Sequence, residues 1–157
     1  MWAYPSLSTN RATLVTDAVR EIAYFDSTFD EAMALTREAH DYLAHQKQAD
    51  IDGLNAVGRL VASCESMRLA ARVTQIVAWL LVQKAVHAGE ITREEATVPE
   101  RRLSGKSVCG APEPVLDEPL PERLAELLDN SLRLYQRVAR LDEMLDREAA
   151  ATGPVKI

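Results

Sequence analysis

Cysteine, histidine and aromatic residues are scarce in this chain: two cysteines, three histidines and 5% Phe, Trp and Tyr in 157 residues. Cys64 and Cys109 make neither a disulfide framework nor a metal-ligand spacing. His40 and His45 are five apart, about 500° around a helix, so they share no face. His87 stands alone. There is no HExxH, no G-x-S-x-G and no glycine-rich phosphate loop; Gly105-Lys106-Ser107 lacks the strand and first glycine of such a loop. An excess of basic charge is also missing. Lys+Arg is 18 against 24 Asp+Glu, a net charge of −6, which suits neither DNA phosphates nor anionic lipid. The short cluster Arg101, Arg102 and Lys106 does not change that balance. The longest apolar run, Ile76–Val82, stops at Gln83-Lys84, short of a membrane span. Met1–Pro5 lacks the basic and apolar regions of a signal peptide. The expectation is a cytoplasmic, reduced protein with no cofactor, no metal, no nucleic acid and no membrane partner.

Proline is absent from two long stretches. The seven prolines stand at 5, 99, 112, 114, 119, 121 and 154, leaving 6–98 and 122–153 clear. Proline breaks helix interiors, and both gaps are rich in Ala, Leu, Arg and Glu, which favour helix. The spacing of apolar residues predicts an all-α fold, a three-helix bundle with one very long central helix. The first helix is predicted over 28–46, with Ser27 as its N-cap. The second covers 54–88 and is closed by Gly89. The third covers 121–149 with Pro121 at its first position. Residues 1–26 read as an arm with one short helix around Leu14–Ile22. Residues 99–120 hold four of the seven prolines and two glycines and read as a mobile connection. Residues 150–157 read as a loose tail. The bundle proper is therefore 27–149.

The central helix carries two apolar stripes. One is a heptad seam: Val57, Leu60, Cys64, Met67, Ala71, Thr74, Ala78, Leu81 and Ala85. The other is Leu69, Val73, Ile76, Val77 and Leu80, with Trp79 beside it. A short first helix and one third helix cannot cover both along the whole length. The uncovered strip is expected to form a homodimer around Val73, Trp79 and Leu80. Within this apolar helix lie Glu65, Arg68, Arg72, Gln75 and Gln83. The plain reading is that Arg68 and Arg72 pair with Glu65 or with acids of the third helix. The functional readings are a partner-binding surface of Glu65, Arg68, Arg72, Val73, Ile76, Trp79, Leu80 and Gln83, or a small all-α enzyme with a polar site near Arg68, Arg72 and Gln75. A helical partner module of a regulator is a third. No activated nucleophile or tuned acid–base pair accompanies the cluster, so the expectation is no catalysis.

Two stretches carry a resemblance. Glu65-Ser66-Met67-Arg68-Leu69 runs on through Gln75-Ile76-Val77-Ala78-Trp79-Leu80-Leu81-Val82-Gln83-Lys84-Ala85-Val86 to Gly89-Glu90-Ile91-Thr92. Leu120-Pro121-Glu122-Arg123-Leu124 runs through Ser131-Leu132-Arg133-Leu134-Tyr135 to Arg140-Leu141-Asp142. Together with Glu31–Leu43 they resemble the RcdA family, regulators of CtrA degradation in alphaproteobacteria, over roughly residues 27–145. The resemblance implies a dimeric three-helix bundle without catalytic residues. It implies a role as adaptor delivering clients, notably the cell-cycle regulator CtrA, to the ClpXP protease. The implied companions are a response-regulator-like adaptor and a cyclic-di-GMP-binding adaptor.

Overall fold

The computed structural model describes residues 8–112 and 116–152. The described residues are 82% helical, with no strand among them. Three long helices dominate: α1 (Ser8–Asp41), α3 (Ala56–His87) and α6 (Glu122–Ala151). Three short ones are α2 (Lys47–Asp52), α4 (Arg93–Ala96) and α5 (Lys106–Cys109). α3 lies in the centre, with α1 and α6 packed on it and touching each other.

α1 starts at least nineteen residues earlier than its sequence suggests. Ser27 is no cap; it is an exposed mid-helix residue, and the hydroxyl of neighbouring Thr28 bonds back to the Tyr24 carbonyl at 2.8 Å. With neither proline nor glycine between Ser8 and Asp52, nothing interrupts the helical hydrogen bonds. The arm and its separate short helix are therefore one continuous helix from Ser8 onward; residues 1–7 lie outside the description. Residues 13–20 are all exposed, Leu14, Val15 and Val19 included. The buried stripe of α1 is Phe25, Thr28, Ala32, Leu35, Ala39 and Tyr42, with spacings alternating between three and four. A π-helical turn, Tyr42–Gln46, then leads straight into α2. The segment between the first two predicted helices is helical up to Asp52, with Ile51 buried against the bundle.

Asn55 caps α3: its side-chain oxygen accepts the Gly58 amide at 2.7 Å. At the other end Gly89 has φ +74°, and the amides of Gly89 and Glu90 bond to the carbonyls of Val86 and Ala85. That is the double closure a left-handed glycine allows. Thr92 and Glu95 cap α4 reciprocally. α6 begins after Pro121 and runs to Ala151, so the loose tail does not begin at 150; residues 153–157 lie outside the description. Its buried seam is Leu124, Leu127, Ser131, Leu134 and Val138.

The connection before α6 departs from its composition. Residues 99–112 are fastened across α3 and α6, with a 3-10 turn at Pro99–Arg101, then α5, and with Leu103 and Cys109 buried. Residues 113–115 lie outside the description. The central helix itself has the length and apolar content of a membrane span, here packed between α1 and α6.

Candidate functional site

Arg72 is at the centre of the molecule, 2% exposed. Its Nε donates to the Cys109 carbonyl at 2.7 Å, and Nη2 donates to the Ala111 carbonyl at 3.0 Å. Nη1 donates to the Leu128 carbonyl at 2.9 Å and to the Ser131 hydroxyl at 3.1 Å. Four of its five N–H groups are spent on the fold. Burial, with Arg68 beside it, pulls its pKa below the ordinary arginine value. One α3 side chain thus ties α5 and the residues after it to α6. A second fastening is Asp142, 4% exposed. Its carboxylate accepts Trp79 Nε1 at 2.8 Å, Arg102 Nη2 at 2.9 Å and the Leu103 amide at 3.4 Å. Arg102 also reaches Asp146 at 2.8 Å, and its bond to Asp142 raises its pKa. A third is the Tyr135 hydroxyl, which donates to the Ser104 carbonyl at 2.9 Å. Residues 99–112 form a strap held at three places.

The eight residues expected to form an interaction surface separate here. Val73, Ile76, Trp79 and Leu80 are buried inside this one chain. They are core, not an uncovered strip, because the continuous α1 and the strap cover what a short first helix and a loose connection would have left bare. Glu65 is also buried and lies 3.4 Å from Arg68. Arg72 faces the strap rather than a partner. Gln75 accepts the Ser104 hydroxyl at 2.7 Å, so the polar cluster proposed as an enzyme site is taken up by structural bonds. Gln83 is 7% exposed and makes no hydrogen bond among the described residues; it lines a cleft at one end of the bundle.

The heptad seam has the opposite fate. Val57, Leu60, Cys64, Met67, Thr74, Ala78 and Leu81 are all exposed, Met67 at 74%. Ala71 and Ala85 are half-buried. The seam runs about 42 Å along α3 and carries no charged residue.

Sequence reasoning missed Cys109, Leu103, Ser131 and Asp142. Ser131 had a signal, a lone hydroxyl in the leucine seam of α6. Asp142 had one too, since it stands four residues after Val138, in register with that seam. Nothing local marks Leu103 or Cys109, whose burial depends on contacts with α3 and α6. No group of three or more His, Cys, Asp or Glu that could hold a metal ion occurs among the described residues.

Residues 17–156 match a family described as "Protein of unknown function (DUF1465)". The chain is similar to the crystal structure of RcdA from Caulobacter crescentus, at 38% identity and a TM-score of 0.63. The likeness covers 77% of this chain and 89% of that one. Among curated proteins none matches.

Proposed function

The chain belongs to the RcdA family, and on that premise we propose that it is a non-enzymatic cytoplasmic adaptor that helps deliver protein clients, CtrA among them, to the ClpXP protease. The observation that carries this reading is the 38% identity to RcdA over most of both chains. An adaptor raises the effective concentration of client at the protease and needs surfaces, not chemistry. The polar cluster on α3 supports this: it is spent on holding the fold. Its proposed partners are the ClpX machinery, a response-regulator-like adaptor, a cyclic-di-GMP-binding adaptor, the client and a second copy of this chain.

The homodimer is proposed on the exposed seam of α3 instead of the buried strip. The seam is large at its N-terminal half, with Val57, Leu60 and Met67, and, Leu81 apart, small at its C-terminal half, with Ala71, Thr74, Ala78 and Ala85. Two copies antiparallel about Ala71 set Val57 near Ala85, Cys64 near Ala78, Met67 near Thr74 and Leu60 near Leu81. Apart from the Leu60–Leu81 pair, large side chains then meet small ones, and the seam itself brings no charge into the interface.

The test of adaptor function is a reconstituted degradation assay with ClpXP, CtrA and the companion adaptors. Adding this protein is expected to shorten the CtrA half-life several-fold. An unchanged half-life, together with no ClpX or companion adaptor recovered on the bound protein, overturns the reading.

A further inference from the structure

A cleft of about 150 Å³ opens where the C-terminal ends of α3 and α6 meet α4. Val86, Ala96, Leu145 and Ala149 line its sides. Its one uncommitted buried polar group is the carboxamide of Gln83. An amide with no protein partner at a cleft is open to pairing with a ligand; the fully buried side-chain polar atoms without a partner among the described residues, Tyr42 Oη and Arg137 Nε, do not line the cleft. A carboxamide has a donor and an acceptor on one plane, the pattern that pairs with a peptide backbone unit through two hydrogen bonds.

Size and charge narrow the occupant. A space of this volume takes a benzene-sized group and is too small for a nucleotide or a typical cofactor. The cations at the cleft are already neutralised: Arg102 by Asp142 and Asp146, Arg93 by Glu21 at 3.2 Å. On the rim, Glu94 and Glu148 are exposed carboxylates with no ion pair among the described residues. An anionic ligand would meet no free cation here, whereas a cationic one would meet two free carboxylates.

We propose that this cleft binds a peptide segment of a partner protein, one aliphatic side chain entering between Val86 and Leu145, its backbone amide on Gln83, and a flanking Lys or Arg facing Glu94 or Glu148. This deepens the adaptor reading and rests on it for the identity of the partner as a client or companion.

The experiment titrates the full ¹⁵N-labelled chain with the acetylated, amidated peptide Gly-Lys-Leu-Lys-Gly and follows amide shifts. Controls are Gly-Glu-Leu-Glu-Gly and Gly-Lys-Gly-Lys-Gly. The first peptide is expected to shift cleft amides, and both controls to bind at least about tenfold more weakly. Gln83→Leu keeps the volume and removes the amide, so it is expected to weaken binding about tenfold with helicity retained. If that variant does not fold, the surface double variant Glu94→Gln/Glu148→Gln serves instead; it should weaken binding and flatten its salt dependence. No shifts at millimolar peptide, equal binding of a control, or full affinity in a folded variant overturns the cleft. The degradation assay is run in parallel. Faster client degradation without peptide binding sinks the cleft alone; peptide binding without any effect on degradation sinks the adaptor reading and leaves the cleft standing.

Discussion

Among the described residues no carboxylate hydrogen-bonds Arg72; carbonyl dipoles and a hydroxyl meet its charge directly, with the Glu65 carboxylate acting on it from nearby. Three carbonyls and a hydroxyl converge on one planar guanidinium, a shape that no ammonium reproduces. Arg72→Met would leave the carbonyls of Cys109, Ala111 and Leu128 without this donor. The expected loss is about 3 kcal/mol or more, since a hydrogen bond to a charged group contributes about 1.5–3. In a domain of this size that lowers the melting temperature by roughly 6–12 °C. Arg72→Lys should recover little of it, because one ammonium cannot span four acceptors. Thermal unfolding followed by circular dichroism measures both. Tyr135 makes a second prediction. Burial first, then the nearby Cys109 and Asp142, pushes its hydroxyl pKa up to about 12. Burial does the same to Tyr42. In the unfolded chain a phenol ionises near 10, so the folded state favours the neutral form. The stability this contributes is complete below pH 10 and drains away as pH rises from about 10 to about 12. Tyr135→Phe should cost about 1 kcal/mol at neutral pH for the lost bond to Ser104, and should shallow the alkaline decline. Urea midpoints from pH 8 to 12 test this.

Among the elements, α6 was legible and α3 was not, for one reason. α6 sets its leucines against a charged opposite face, so period alone identifies what is buried. α3 is apolar over most of its circumference, and the better heptad, Val57 to Ala85, faces outward. The stripe that is buried contains Glu65, Ser66, Arg72 and Gln83, residues whose polarity hides its role. The helix end at Gly89 was readable because it depends on a few neighbouring residues. The strap and the start of α1 were not: Leu103 and Cys109 are placed by partners some tens of residues away. The eight-residue surface failed in the same way, with Gln83 the member that opens on a cleft. The two cysteines report this reversal directly. The seam placed Cys64 inside and the connection placed Cys109 outside; in the fold Cys64 is exposed and Cys109 is buried, with its thiol pKa raised by burial. In the Leu60→Glu/Met67→Glu variant, with the proposed dimer seam uncovered, Cys64 should react with a thiol reagent within seconds to minutes. Cys109 should wait for unfolding, at least about a hundredfold slower. Mass spectrometry of the labelled peptides distinguishes them, and fast labelling of Cys109 would mean that the strap is not docked.

At the scale of the molecule, the exposed seam and the buried strip predict different outcomes for charge. Leu60→Glu/Met67→Glu puts carboxylates on the exposed face and is expected to yield a folded, fully helical monomer by sedimentation. Leu80→Glu buries a charge at a position with 0% exposure and is expected to cost several kcal/mol and unfold the chain. A wild-type monomer at tens of micromolar would remove the dimer and leave the core assignment intact. The strap also has a consequence for time. Its bonds to Arg72 join residues 37 and 39 apart in sequence, whereas the helices it crosses are local. Closing such a loop costs chain entropy that a helical turn does not, so the expected order is helices first and clamp last. Arg72→Met should therefore leave the refolding rate within about twofold of wild type and speed unfolding roughly a hundredfold. The strap then sets how long each folded molecule lasts, not how quickly it forms.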